Sequence, residues 1–528
     1  MATPSSTKNH TADATAQDLK MMTVKEKSAG ATGGSGNASE RSKDVNGDGA
    51  GSVPSSASSA AVSDASPSTS SGLSNVLESV ASTSDGSASA GADVRGASTS
   101  TSLTSQYPEL TRSVQEIKER LDQNKGGGRR APRAAGAAAE SMDQHQFWST
   151  QPVPRFDEKV PATTNDAIET KSVEEIRAEP RQLPAGFFWD TLDINHRGTL
   201  EEIYNLLHDN YVEDDDSMFR FRYSHEFLLW ALRPPGWTNF WHVGVRVAGS
   251  NKLVSFISAV PSQIRVRGKS MKMTEVNFLC VLKKLRSKRM AVVLIQEITR
   301  RCNVRGIFQA AFTAGKLLPT PVGTCRYWHR SIHPAKLVDV GFSSIPPKST
   351  LQRMKKLYKV DEEGKLPGFR PAEAKDVPAI HDLLTTYLKQ FEMAPEFELE
   401  EVAHYFMPQD KIIYAYVVED PATGKLTDFT SFYSLPSTVV DNPKYDSIYA
   451  AYSFYNVATK TSWRDLIMAS IVMAKKEGFD VFNALDLMEN TKFLKDLAFG
   501  IGDGSLNYYL FNWKCPEMQP GQIGLVLM

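Results

Sequence analysis

The chain has 528 residues, with 60 Lys and Arg against 61 Asp and Glu and a net charge of −1. Near-neutrality excludes the broad basic field of a nucleic-acid binder, so no nucleic-acid partner is expected. There is no run of 18 apolar residues for a transmembrane helix and no apolar signal core after Met1-Ala2-Thr3, and Cys280, Cys302, Cys325 and Cys515 lack the C-x-x-C spacing of zinc sites.

Residues 1–140 are dominated by Ser, Ala, Gly and Thr. Such a leader cannot offset the entropy of ordering and is expected to be disordered. A short helix is expected within it at Leu110 to Leu121, where Val114, Ile117 and Leu121 share a face. From Gln144 to Arg155 the register changes: Phe147, Trp148, Pro152 and Pro154 come together as an extended arm that could strap over a groove. A helix follows at Leu200, Ile203, Tyr204 and Leu207, then the acidic turn Glu213-Asp214-Asp215-Asp216. Strands are expected at Trp241 to Val247 and Leu253 to Val260, around the turn Gly249-Ser250-Asn251.

Glu275 to Val281 is apolar on both faces and reads as a central strand. Lys283 to Arg289 is a short basic loop. From Ala291 the spacing of Val292, Ile295, Ile298 and Thr299 predicts a helix to Cys302. A buried strand feeding a basic loop that opens a helix is a candidate anion site, because the first helical turn presents free N–H groups and the positive end of its dipole. A strand at Ile307 to Phe312 completes this half. The second half repeats the order: a helix from Asp376 to Phe391, strands at Ile412 to Val418, Phe429 to Leu435 and Tyr449 to Val457, a helix from Trp463 to Lys476, and a strand from Val481 to Leu485. The repeated order suggests an internal duplication.

Glu275-Val276-Asn277-Phe278-Leu279-Cys280-Val281 with Lys283 resembles the first signature of the glycylpeptide N-tetradecanoyltransferase (N-myristoyltransferase) family, and Phe499-Gly500-Ile501-Gly502-Asp503-Gly504 resembles the second. Gln146-Phe147-Trp148, Gln151-Pro152-Val153-Pro154, Tyr211 to Asp216 and Gly323 to Arg330 match further family blocks in order. The similarity spans about Gln144 to Met528. It implies a mixed α/β fold of two fused GNAT-like acyltransferase halves with pseudo-twofold symmetry. Residues 141–345 would bind myristoyl-CoA, and 346–528 would supply peptide binding and the C-terminal carboxylate. The activity implied is transfer of myristate from myristoyl-CoA, a co-substrate rather than a permanently bound cofactor, to the N-terminal glycine of client proteins.

By this resemblance the amides of Phe278 and Leu279 form the oxyanion hole and the α-carboxylate of Met528 is the base, with Asn277, Thr313 and Gly315 near the reacting amine. The apolar tail Ile523 to Met528 suits burial, and a desolvated carboxylate is the stronger base. Gln146, Phe147, Trp148, Phe278, Leu279, Cys280, Val281, Ser287, Arg289, Met290 and Ala291 match acyl-CoA contacts. Tyr211, Phe219, Phe221, Tyr327, His329, Ser437, Tyr452, Asn483, Asp503 and Gly504 would read the peptide, and Asp214 and Asp216 would meet a lysine further along it. No metal is implied. The protein is expected to be a cytoplasmic monomer, with the leader a possible route to the ribosome although it lacks the family's lysine-rich block.

Two positions depart from the signatures: Leu282 stands for a histidine and Ala498 for a lysine. Neither is the base or an oxyanion donor, so activity is expected to survive. A general GNAT-type N-acyltransferase and a catalytically weakened peptide-binding relative are the competing readings. A Cys280–His329 acyl-enzyme is disfavoured, because a thiol in an apolar strand is normally inert.

Overall fold

Runs of β-branched and aromatic residues set the strands, and the computed structural model describes Met142 and residues 145–212, 218–361 and 366–528. The leader, with its expected helix at 110–121, and the acidic residues 213–217 lie outside them. The strands of the first half are β1 (Phe187–Thr191), β2 (Phe219–Phe221), β3 (His242–Val247), β4 (Leu253–Val266), β5 (Lys269–Val281), β6 (Ala310–Ala314) and β7 (Gly323–Ser331). Those of the second are β8 (Phe369–Pro371), β9 (Met393–Pro395), β10 (Ile413–Glu419), β11 (Leu426–Ser434), β12 (Ser437–Val439), β13 (Ser447–Ile448), β14 (Ala450–Ala458), β15 (Val481–Leu485) and β16 (Gly500–Phe511). Four helices matter for the site: α1 (Arg197–Asn210), α2 (Met290–Asn303), α3 (Val377–Leu388) and α4 (Trp463–Lys476).

Among the described residues, one sheet runs β1-β3-β4-β5-β6-β16-β7-β15-β14-β11-β10-β8, with β9 on the side of β4. It crosses both halves, because β16 lies between β6 and β7 and pairs antiparallel with each. The expected repeat is present. Helix α1, the antiparallel strands β3, β4 and β5, helix α2 and strand β6 are matched by α3, then β10, β11 and β14, then α4 and β15. In each copy of the repeat the strand after the helix pairs parallel with the third antiparallel strand, and only briefly: Thr274 and Glu275 of β5 with Ala310 and Ala311 of β6, and Ala450 to Tyr452 of β14 with Val481 to Asn483 of β15.

The correspondence extends to a bulge. Phe256 pairs with Cys280 and Ser258 with Asn277, so Phe278 and Leu279 face Ile257 alone. Thr430 pairs with Asn456 and Phe432 with Ser453, so Phe454 and Tyr455 face Ser431 alone. A two-against-one count bends the strand and takes its extra residues out of the ladder. Beyond β14 the match ends in a difference. The Asp428 carboxylate accepts the N–H groups of Thr459 (2.6 Å), Lys460 (2.9 Å) and Thr461 (3.0 Å), filling the turn before α4. By register, buried Val254 holds that place before α2.

Several expected boundaries move. The basic stretch Lys283–Lys288 is a 3-10 turn rather than an open loop, and α2 starts at Met290 behind Arg289, whose backbone is left-handed. The strand expected at 307–312 lies at Ala310–Ala314, because a turn at Gly306 delays its start. The glycine-rich segment 500–504 is the beginning of β16, with a register shift against β7 between Ile501 and Ser505. No described helix is long and apolar enough to cross a membrane.

Candidate active site

Beyond Glu275, β5 and β6 separate, and the gap between them is a cavity of about 200 Å³. One trapped water needs roughly 10–15 Å³, so this space suits a chain-like ligand. Its wall on β5 is formed by Thr274, Val276, Asn277, Phe278 and Leu279. Ile295, Ile298, Thr299 and Cys302 of α2 form the facing wall, and Ile307, Phe308, Phe312, Leu318 and Phe511 close the sides. The three-to-four spacing on α2 that reads as a core stripe in the sequence also lines this cavity.

One end of the cavity is polar. Phe278 has φ +56°, a left-handed backbone that costs a non-glycine residue on the order of 1–3 kcal/mol. Its ring is caged by Tyr211 (centroids 5.9 Å apart) and Tyr223 (5.2 Å), which hold the bulge in that conformation. Burial pushes the Tyr211 phenol up, the Cys280 thiol adds to this, and a backbone hydrogen bond with Phe278 opposes it. Asn277, with its amide turned to donate, reaches a Met528 carboxylate oxygen at 3.1 Å. Met528, Asn277, Phe278, Leu279 and Thr313 all line this cavity.

The tail that delivers Met528 is fixed along its length. The Gly524 N–H donates to the Met393 carbonyl at 2.6 Å, Met488 N–H to the Ile523 carbonyl at 3.1 Å, and Val526 N–H to the Tyr455 hydroxyl at 3.0 Å. Leu525, Val526 and Leu527 are buried. The tail is extended but makes only an isolated bridge, Met393 with Ile523, rather than a strand ladder. Gly315 follows β6, its carbonyl accepting from Asn507 Nδ2 at 3.3 Å.

At the other side of β5 lies the basic turn. Lys283 N–H donates to Asn210 Oδ1 at 3.1 Å, and Arg286 donates to the Asn210 carbonyl, tying the turn to the end of α1. Lys283, Lys284, Lys288 and Arg289 are exposed around the start of α2, with Val281 and Met290 buried and Ala291 half-buried beneath. Ser287 lies on the turn. The N-terminal arm crosses nearby: Trp148 stacks on Phe312 (5.8 Å, 11°), which stacks on Tyr509 (4.9 Å, 15°). Phe147 packs edge-on against Trp148 at 5.2 Å, and Gln146 is exposed. Cys280 points to α1, its Sγ 3.7 Å from the Leu206 carbonyl, and burial pushes the thiol up to about 12. Strands β6 and β16 stand between it and the strand of His329.

The residues expected to read a peptide form a second group. Tyr433, Tyr452, Asn483, His329 and Gly500 make one transverse row over five strands. Tyr433 and Tyr452 stack at 5.4 Å and 9°. His329 Nδ1 is 2.7 Å from Asn483 Oδ1. Burial lowers the His329 pKa, against the opposing pull of Asn483 and the Asp503 charge, so the ring is neutral at pH 7. Ser437 pairs with Phe221, which meets Tyr452 at 6.4 Å, and Phe219 packs edge-on against Phe342 at 5.8 Å. Burial pushes the Tyr327 phenol up to about 12. Asp503 and Gly504 are exposed at the β16 bulge, while Gly502 is buried against His329 and Tyr327. Asp214 and Asp216 lie outside the described residues. Asn210, Tyr223, Phe312, Tyr433 and Tyr455 escape a reading of the sequence, because only the folded sheet brings such ordinary core types beside the site.

A long apolar cavity that ends on bulged strand amides beside a carboxylate defines an acyltransferase. The model of the Myristoyl-CoA:protein N-myristoyltransferase N-terminal domain matches residues 167–325, and that of the C-terminal domain matches residues 339–526. The chain is 56% identical over 414 residues to glycylpeptide N-tetradecanoyltransferase 2 of Bos taurus, covering 78% of this chain and 81% of the relative. It is 55% identical over 396 residues to the glycylpeptide N-tetradecanoyltransferase of Drosophila melanogaster, covering 75% and 83%. The crystal structure of Saccharomyces cerevisiae N-myristoyltransferase with bound myristoyl-CoA superposes with a TM-score of 0.71 at 41% identity, covering 74% of this chain and all of that one. The chain belongs to the Myristoyl-CoA:protein N-myristoyltransferase family.

Proposed function

We propose that this protein transfers the myristoyl group of myristoyl-CoA to the N-terminal glycine of protein substrates by direct attack of the glycine amine on the thioester. The observation that carries this reading is the Met528 carboxylate, hydrogen-bonded to Asn277 where the apolar cavity meets the bulge of Phe278 and Leu279. The first half holds the acyl-CoA. The cavity takes the acyl chain, which excludes water from it. The basic turn, which includes Ser287, with Arg289 and the start of α2 receives the phosphates, and Cys280, Val281, Met290 and Ala291 flank that turn. Gln146, Phe147 and Trp148 cover the bound molecule.

The peptide enters over the row of Tyr452, Asn483 and His329, with Tyr211, Phe219, Phe221, Tyr327, Ser437, Asp503 and Gly504 around it. Asp214 and Asp216 meet a lysine downstream. At the polar end the Met528 carboxylate takes a proton from the glycine ammonium, while Asn277, Thr313 and Gly315 orient the amine. The free amine forms a bond to the thioester carbon. The carbonyl electrons move to oxygen, where the amides of Phe278 and Leu279 stabilise them. As the carbonyl reforms the carbon–sulfur bond breaks, the electron pair leaves on the CoA sulfur, and the second proton of the attacking nitrogen passes to that sulfur, giving the amide and free CoA thiol. An amide donor aimed at such an oxyanion is typically worth about 10²–10³ in rate. The four unpaired, buried cysteines support a cytoplasmic setting.

Adding one residue after Met528 tests the base. Turnover of a Gly-initial peptide should fall at least about 100-fold, with myristoyl-CoA affinity kept. An extended enzyme with unchanged turnover refutes the assignment. Competition between acetyl-CoA and myristoyl-CoA separates this reading from a short-chain acyltransferase.

A further inference from the structure

The tail that places Met528 has few fixed points near its end, and one of them comes from the repeated bulge. Tyr455 occupies the register position in β14 that Leu279 occupies in β5. In β5 the bulge residues Phe278 and Leu279 line the cavity that Met528 also lines. In β14 the backbone is closed: Ser431 Oγ accepts the Tyr455 N–H at 3.1 Å and donates to the Tyr455 carbonyl at 2.8 Å. By the same register, the position of Ser431 is held in β4 by Ile257, which has no hydroxyl to close the first bulge.

What the second bulge offers instead is its side chain. The Tyr455 ring is 1% exposed. It is walled edge-on by Phe397 at 5.4 Å, Phe406 at 5.8 Å and Phe454 at 4.7 Å. A ring so enclosed has one orientation, and its hydroxyl accepts the Val526 N–H at 3.0 Å, two residues before the carboxylate. Beyond that bond the tail has Leu527 packed in the core, and then Met528 itself against Asn277.

We infer that Tyr455 is a positioning residue for the reaction: the duplicated bulge serves twice, once through its amides at the thioester and once through a caged phenol that pegs the tail and aims the C-terminal carboxylate. This inference rests on the reading of that carboxylate as the base. A carboxylate displaced by about 1 Å from its productive place can lose on the order of 100-fold in rate, so a peg one hydrogen bond away from it matters to turnover more than to substrate binding.

Tyr455→Phe keeps the ring and removes the hydroxyl. Turnover of a Gly-initial peptide should fall about 5- to 20-fold, while the KM for myristoyl-CoA stays within twofold. A semisynthetic chain with a backbone ester in place of the Leu525–Val526 amide removes the donor from the other side and should give the same loss. Combining the two should give no further loss, since both break one bond. Unchanged turnover in Tyr455→Phe overturns the inference. So do losses that multiply in the combined variant, or a fall in myristoyl-CoA affinity that matches the fall in turnover, because either marks a general packing role. The chain extended past Met528 keeps the two ideas apart. If extension abolishes turnover and Tyr455→Phe does not reduce it, the inference fails alone. If extension leaves turnover intact, the carboxylate reading fails and takes the inference with it.

Discussion

Glu275 opens the strand segment that carries the oxyanion bulge, and its carboxyl is raised from 4.5 to about 7. Burial is the main cause. A hydrogen bond with Ser262 opposes it, and the charge of Glu401 adds to it. The folded protein therefore holds this proton more tightly than the unfolded chain. Stability that is complete below pH 4.5 is lost as pH rises through 7, where the folded site must ionise. At about 1.4 kcal/mol per pH unit, the two values give a loss of roughly 2–3 kcal/mol between pH 5 and pH 8. Part of Glu275 still meets solvent, so this is an upper bound. Glu275→Gln removes the titration and keeps the shape. Urea unfolding of both proteins at pH 5 and pH 8 should show the variant gaining about 2 kcal/mol on the wild type over that range. If the two stabilities change in parallel, the carboxyl is not held neutral by the fold and the reasoning fails.

Two further outcomes follow from the site. A Cβ on Gly502 would collide with His329 Nε2 and stand 3.0 Å from the Tyr327 carbonyl. Gly502→Ala should raise the peptide KM about tenfold, roughly 1.4 kcal/mol of overpacking, with little change for myristoyl-CoA; steady-state kinetics in each substrate decide. Leu282 packs between two apolar clusters and its N–H donates to the Val254 carbonyl at 2.9 Å, so its side chain serves packing. Leu282→His should lower melting temperature by a few degrees, leave turnover within twofold and change the KM for myristoyl-CoA. An unchanged KM removes any role of this position in CoA binding.

Much of the framework is legible in the chain itself. Period-two and three-to-four spacing is local, so Trp463–Lys476 and Val481–Leu485 fall where the pattern puts them, and the helix–hairpin–strand–helix–strand order appears twice. The signature around Asn277 to Val281 likewise marks the reacting strand. Spacing fails where backbone departs from regular geometry. Gly500 to Gly504 gives a weak strand signal because it is rich in glycine, yet the pairing of Gly500 and Ile501 with His329 and Trp328 of β7 makes it the start of β16.

The sequence by itself determined the elements, their duplicated order and the apolar character of the tail, because each depends on side chains close together in the chain. Only the tertiary structure decided that β5 and β6 part after Glu275, that two residues face one at Phe278, and that Met528 reaches Asn277 across 251 positions of sequence. It also gave the two copies of one bulge opposite fates, Ile257 leaving the first open and Ser431 closing the second. Those choices are set by register and packing between distant strands, and no local pattern of residues encodes them.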